Sequence, residues 1–194
     1  MEISNWPSSN IVRLSSAVSA ELPLIKVNND FWIYSFDMMG KHRWNLAAAN
    51  TLEAMIRENG SKFDIFVTAE AKAIGLTENL VRLFDHDEYV VLRKSIKAYM
   101  ENPATVDVKS ITTESLQQFY LGQEKFSLLK GKRVCVVDDV VSTGGTLEAF
   151  FQLSEKVGFE IALIACALTE GKDHESYRGV NILRIGNIPL PKAT

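Results

Sequence analysis

The residues best suited to chemistry stand in one run, Val134-Cys135-Val136-Val137-Asp138-Asp139-Val140-Val141-Ser142-Thr143-Gly144-Gly145-Thr146. An apolar strand ends in two carboxylates, a short loop of Ser, Thr and Gly follows, and a helix begins. The glycines let successive backbone N–H groups turn inward and let an anion approach without a Cβ in its way. The helix start adds unpaired N–H groups and the positive end of its dipole. Hydroxyls of Ser142, Thr143 and Thr146 are further donors to phosphate oxygens. Asp138 and Asp139 would repel a phosphate laid directly on them and suit hydroxyl groups about one sugar away. The run is therefore built to hold a phosphorylated, hydroxyl-bearing small molecule. It is not a Walker loop, and no G-x-G-x-x-G dinucleotide fingerprint occurs in the chain.

Four apolar residues, two acids, two small apolar residues and Ser-Thr-Gly-Gly-Thr together resemble the phosphoribosyl pyrophosphate signature of type I phosphoribosyltransferases. The resemblance runs from about Phe63 to Gly171. It implies that Asp138 and Asp139 hold the ribose hydroxyls, with Val140 beside them. The 5′-phosphate would lie on Ser142, Thr143, Gly144, Gly145 and Thr146. Val67-Thr68-Ala69-Glu70-Ala71-Lys72-Ala73-Ile74-Gly75 looks like the family's pyrophosphate loop, with Ala71 and Lys72 as its contacts. Val91-Leu92-Arg93-Lys94 resembles the strand end from which basic residues, here Arg93 and Lys94, reach the pyrophosphate. Ser95 to Asp107, continuing through Ser110-Ile111-Thr112-Thr113-Glu114, looks like the lid that closes over substrate and excludes water. Asp138, Asp139 and Lys72 are the implied catalytic residues, with Glu114 as a candidate for handling the base proton. Mg²⁺ is the implied cofactor, bridging pyrophosphate oxygens and ribose hydroxyls; no protein ligand to it is assigned, although Asp138 and Asp139 lie nearby.

Within the family, Glu70-Ala71-Lys72, Arg93-Lys94-Ser95 and Ser110-Ile111-Thr112 look like the purine branch, near adenine and xanthine phosphoribosyltransferases. The adenine enzymes usually carry Arg where Lys72 stands and Gly at Ala73. The implied reaction transfers the 5-phosphoribosyl group to a purine, adenine favoured, and releases pyrophosphate, as in purine salvage. Two alternatives stay open: a regulator that senses phosphoribosyl pyrophosphate without turnover, and an orotate-type pyrimidine enzyme. The base would be gripped by the segments around Lys26 to Asp37 and Glu170 to Pro189, where Phe36, Tyr177 or Ile188 could flank it. Family habit implies a homodimer.

The elements that must position these residues follow from apolar periodicity. Phe31 to Phe36 is β-rich and Asp37 to Gly40 turns; the first 30 residues show no clear pattern. A helix fits Asn45 to Glu58, with Ala48, Leu52, Met55 and Ile56 on one face and Asn59-Gly60 as its stop. Strands fit Phe63 to Val67, Tyr89 to Leu92, Val106 to Ile111, Arg133 to Val137, Ile161 to Leu168 and Val180 to Ile185. Helices fit the stripe Leu76, Leu80, Leu83, Phe84 and the segment Leu147 to Val157, which Gly158 ends. Arg93 to about Asp107 lacks a core pattern and reads as a long loop, and Ser115 to Leu121 is ambiguous. Alternation of strands and helices, with continuous apolar strands, predicts an α/β fold: a mostly parallel sheet flanked by helices. The lid and a small base-binding hood complete it. We expect a single domain over 1–194, with a core at about 44–170 and the hood drawn from about 20–40 and 170–194.

The 194 residues are enough for one well-buried α/β domain. A hydrophobic share of 46% and a charged share of 23% exclude a disordered chain, and the net charge of −3 argues against a nucleic-acid surface. No apolar run reaches bilayer length, and Met1 to Ser9 lacks the pattern of a secretory leader. Cys135 and Cys166 have no partner spacing and read as reduced core residues. A cytoplasmic location without membrane or nucleic-acid partners is the corresponding expectation.

Overall fold

The computed structural model describes residues 6–28, 31–109 and 116–191. Its centre is a six-stranded sheet of β4 (Ile65–Ala69), β5 (Tyr89–Leu92), β8 (Arg133–Val141), β9 (Glu160–Glu170), β10 (Ser176–Tyr177) and β11 (Val180–Ile188). The strand order is β10-β11-β9-β8-β4-β5, and only the short edge strand β10 runs antiparallel to its neighbour. Parallel strands need crossovers, and crossover helices bury both sheet faces, which is why these strands are apolar at nearly every position. Along β8, Cys135 and Val137 enter one core layer while Val134 and Val136 enter the other. Burial pushes both cysteine thiols far up in pKa, so they act as inert packing.

The first layer carries helices α1 (His42–Asn59) and α2 (Ile74–Leu83). Ala48, Leu52 and Ile56 of α1 are buried and Met55 packs against them, as the predicted stripe requires. Gly60 ends α1 in the left-handed conformation, at φ 73°. The same layer takes in a separate antiparallel sheet of β1 (Ser9–Arg13), β2 (Ser19–Lys26) and β3 (Trp32–Tyr34). Leu14, Leu22 and Tyr34 belong to the same core as α1, the Thr51 hydroxyl of α1 donates to the Leu14 carbonyl at 2.7 Å, and the Tyr34 hydroxyl donates to the Pro7 carbonyl at 2.9 Å. Two of these strands were invisible in the sequence, because their apolar residues are few and separated by polar ones. β2 is a legible alternation only once Ala20 and Leu22 are known to face the core.

The second layer holds α4 (Gly145–Val157), the short α3 (Phe126–Leu129) and an antiparallel ribbon of β6 (Ala104–Lys109) and β7 (Leu116–Leu121). This ribbon corrects the expectation of one long loop from Arg93 to Asp107. Val106 and Val108 pack into the core with Phe119 and Leu121, so the irregular part ends near Pro103. The strand expected from Val106 starts at Ala104, and its partner β7 falls on the segment from Ser115 to Leu121 that the sequence leaves ambiguous. The ribbon is tied to the sheet where Arg93 and Tyr120 exchange backbone hydrogen bonds of 2.9 and 2.8 Å. The remaining expected lid positions, Ser110 to Glu114, lie outside the described residues.

Two further boundaries differ from expectation. β8 continues through Asp138 and Asp139 to Val141, because pairing with β9 extends that far. β11 belongs to the main sheet up to Ile188, so the sheet continues beyond position 170. Among the described residues no helix is long and apolar enough to cross a membrane.

Candidate functional site

The C-terminal ends of β4, β5, β8 and β9 lie side by side, and the loops leaving them meet over the sheet edge. This is where open α/β sheets bind ligands, because helix starts and strand ends leave backbone groups unpaired there. The Thr68 hydroxyl donates to the Val137 carbonyl at 2.8 Å, pinning the end of β4 to the last apolar residue before the acid pair.

The segment after β8 forms the first cavity, of about 170 Å³, lined by Ser142, Thr143, Gly144, Gly145 and Thr146 with Asp138 and Val140. Gly144 caps α4 at φ 83°, a conformation in which a side chain is strained, and no side chain caps the helix. The first N–H groups of α4 are therefore available to an anion, as the sequence predicts. A Cβ at Gly144 would lie 2.5 Å from the Tyr177 ring, so the loop is closed from behind as well.

A second cavity of about 140 Å³ brings Ala71, Lys72, Lys94, Asp138, Asp139 and Thr146 together, beside Glu70. The expected pyrophosphate contacts and the expected ribose contacts thus face one space. Arg93 stands differently from its expected role. Its Nε lies 3.0 Å from Glu70 Oε2 without hydrogen-bond alignment, and the Glu70 carboxylate also accepts the Lys94 backbone N–H. Arg93 and Glu70 clamp the two loops together, which leaves Lys72 and Lys94 as the cations lining the cavity. The Glu70–Ala71 peptide bond in this loop is cis.

The third cavity, of about 310 Å³, opens between β3 and the end of β11. Ile33, Tyr34, Ser35, Phe36 and Ile188 line one part, and Lys72, Lys94, Asp139, Val140, Ser142 and Glu170 the other. Phe36 and Ile188 both line this cavity, and Phe36 is braced by stacking on Trp44 with centroids 5.7 Å apart. Tyr177 does not join them. It packs on Phe151 beneath the phosphate loop, and its hydroxyl donates to Glu148 at 3.1 Å. Glu148 also pairs with Arg178 at 2.9 Å, which fixes the first turn of α4.

Three carboxylates in this region are perturbed. Burial and the neighbouring Asp139 charge push Asp138 well above the usual carboxylate range. Burial also raises Asp139, although the Asp138 hydrogen bond and the Lys72 charge pull it back. Burial raises Glu170, opposed by a hydrogen bond from Ser142 and by Lys72. Glu170 and Glu70 stand in segments that the sequence singles out, the base-gripping stretch and the pyrophosphate loop, without a role of their own assigned there. Glu170 was detectable as a lone acid closing an apolar strand next to the acid-bearing one. Glu70 carried no such signal, because its role depends on the loop after β5. Glu114 lies outside the described residues.

Comparison with known proteins gives a consistent result. A family model described as "Phosphoribosyl transferase domain" matches residues 35–182. Two relatives are the hypoxanthine/guanine phosphoribosyltransferases of Methanocaldococcus vulcanius and Methanothermococcus okinawensis. The first is 39% identical over 54% of this chain and 53% of its own length. The second is 33% identical over 64% of this chain and 63% of its own length. The alignments thus span little more than half the length of the curated relatives first matched. Among solved structures, adenine phosphoribosyltransferase from Thermoanaerobacter pseudethanolicus superposes with a TM-score of 0.65 at 19% identity, covering 86% of this chain and 95% of that one. The Rhodothermus marinus adenine enzyme gives 0.63 at 17% identity, covering 93% and 94%. At such identities the structural likeness concerns the fold.

Proposed function

This chain belongs to the phosphoribosyl transferase family, and from that premise we propose that it transfers the 5-phosphoribosyl group of phosphoribosyl pyrophosphate to a purine base, releasing pyrophosphate. One observation carries the proposal. The three cavities share Val140 and are joined through Asp138, Asp139, Ser142, Lys72 and Lys94, so they form one continuous trough. Its sections match, in order, an anion on a helix start, a sugar over two carboxylates beside two lysines, and a flat ring beside apolar walls.

The reaction passes through positive charge at the anomeric carbon, so the protein's work is positioning and charge stabilisation. The Ser142–Thr146 loop anchors the 5′-phosphate. Asp138 and Asp139 accept from the ribose hydroxyls, and their proximity favours the developing positive charge. Lys72 and Lys94 stabilise the departing pyrophosphate, while Ala71 offers its backbone. Glu70 holds Lys94 in place through its backbone N–H. Among the described residues no cluster of three or more His, Cys, Asp or Glu side chains could enclose a metal. Asp138 and Asp139 are hard oxygen donors that would stand beside Mg²⁺ carried mainly by substrate oxygens and water. When bound, it would neutralise charge on the pyrophosphate.

For the acceptor, the likeness of Glu70-Ala71-Lys72, Arg93-Lys94-Ser95 and Ser110-Ile111-Thr112 to the adenine and xanthine enzymes favours adenine, with Lys72 and Ala73 departing from the adenine pattern, whereas the named activities of the relatives favour hypoxanthine or guanine. Mixing the protein with phosphoribosyl pyrophosphate, Mg²⁺ and each of adenine, guanine, hypoxanthine, xanthine and orotate decides it, with pyrophosphate release as the readout. Release with at least one purine is expected. Tight binding of phosphoribosyl pyrophosphate without release would identify a sensor, and release with orotate alone would move the enzyme to pyrimidines.

A further inference from the structure

We propose that Glu170 accepts the ring proton of the incoming base; the inference rests on the transfer reaction proposed above. A neutral base attacks through a ring nitrogen that must shed a proton, so the cavity holding the base needs an acceptor within reach. Among the described residues two carboxylates line that cavity, Asp139 and Glu170. Asp139 also lines the neighbouring cavity with Asp138 and Ala71, at the sugar end. Glu170 borders only the base cavity among the three.

Its place in the fold sets its direction. Glu170 closes β9 and is register partner to Ile188 on β11, one of the apolar walls beside the base. Ser142 lines both the base cavity and the phosphate cavity. Glu170 and Ser142 therefore line the base cavity together with Asp139, Lys72 and Lys94, which also border the sugar cavity, so the carboxylate shares one space with the groups nearest the anomeric carbon. The electrostatics suit the task. Burial makes Glu170 more basic than an ordinary carboxylate, while Ser142 and Lys72 favour its ionised form. The other charged groups facing the cavity are Lys94, from the loop after β5, and Asp139, from β8. From β3 comes Tyr34, whose hydroxyl is committed to Pro7.

The step balances without a further reagent. The nitrogen lone pair forms the bond to the anomeric carbon, and the ring proton passes to the Glu170 carboxylate. The carbon–oxygen bond to pyrophosphate breaks, its electron pair leaving with the pyrophosphate. In the reverse direction the protonated Glu170 returns the proton to the departing base.

Two variants test this against wild type, with pH profiles of kcat/KM and calorimetric binding of Mg²⁺–phosphoribosyl pyrophosphate. Glu170→Gln should bind phosphoribosyl pyrophosphate as wild type does, lose kcat by roughly 10²–10⁴-fold, and lose the acidic limb of the profile. An 8-azapurine, whose ring N–H is more acidic than the parent purine's, should lose less rate in this variant than the parent does. Ser142→Ala keeps the carboxylate but removes a hydroxyl on the same cavity wall that favours its charge, so the acidic limb should move to higher pH. This second variant carries the test if Glu170→Gln does not fold. An acidic limb unchanged in Ser142→Ala, or Glu170→Gln turning over at the wild-type rate, overturns the assignment. Wild type that releases no pyrophosphate with any base overturns the transfer itself, and the role of Glu170 with it.

Discussion

At the scale of single residues, three carboxylates, Asp138, Asp139 and Glu170, are held in a partly dry strand-end region with raised pKa values. A carboxylic acid whose folded pKa lies above its unfolded value binds its proton more tightly when folded. Stability then falls as pH rises from the unfolded carboxylate range, about 4, up through the raised folded values. The free protein should therefore melt at a higher temperature near pH 5 than near pH 8. Asp138→Asn should flatten that slope and raise the melting temperature at neutral pH; thermal melts across the range check both. The same logic puts stability and activity in opposition here. Asp139→Asn should keep the fold and lower turnover, since losing one charge-assisted hydroxyl contact costs about 1.5–3 kcal/mol, or one to two decades in rate. Wild-type kinetics in that variant would remove the sugar-holding role.

Among the elements, the start of α4 and the β6–β7 ribbon decide most. Gly144 sits at φ 83° with the Tyr177 ring behind it. Gly144→Ala combines a left-handed backbone with a close contact and should cost on the order of 1–3 kcal/mol of stability. It should also weaken phosphoribosyl pyrophosphate binding by disturbing the N–H groups that face the phosphate. Denaturant titration and calorimetry measure the two effects separately. The ribbon redraws the lid. Amides of Val106, Val108, Phe119 and Leu121 lie in paired strands with buried side chains, so they should resist hydrogen exchange with or without ligand. The segment from Ser95 to Glu101 has no strand partner and should gain protection when Mg²⁺–phosphoribosyl pyrophosphate and a base are both present. Fast exchange throughout β6 in the free protein would restore the longer lid.

For the whole molecule, the family resemblance leads us to expect a homodimer. Sedimentation should give a dimer. A fully active wild-type monomer would overturn the expectation.

How much of this was legible in the chain depends on the range of the physics involved. The strand ending in Asp138-Asp139, the phosphate loop and the start of α4 are consecutive, so local rules of apolar runs, glycine turns and helix starts were sufficient. Parallel strands buried on both faces are apolar throughout, and β5 was readable to its exact ends. The grouping of Lys72, Lys94 and Glu170 around the acid pair was not local. It required β4, β5 and β9 to be set beside β8 in a particular order and register. The pairing of Arg93 with Glu70, the core side of β6 and the separation of Tyr177 from Phe36 and Ile188 likewise arise from contacts between distant segments. A one-dimensional pattern shows which residues are capable of chemistry. Only the folded sheet decides which of them share a cavity, because strand order and register are determined by the packing of the whole core.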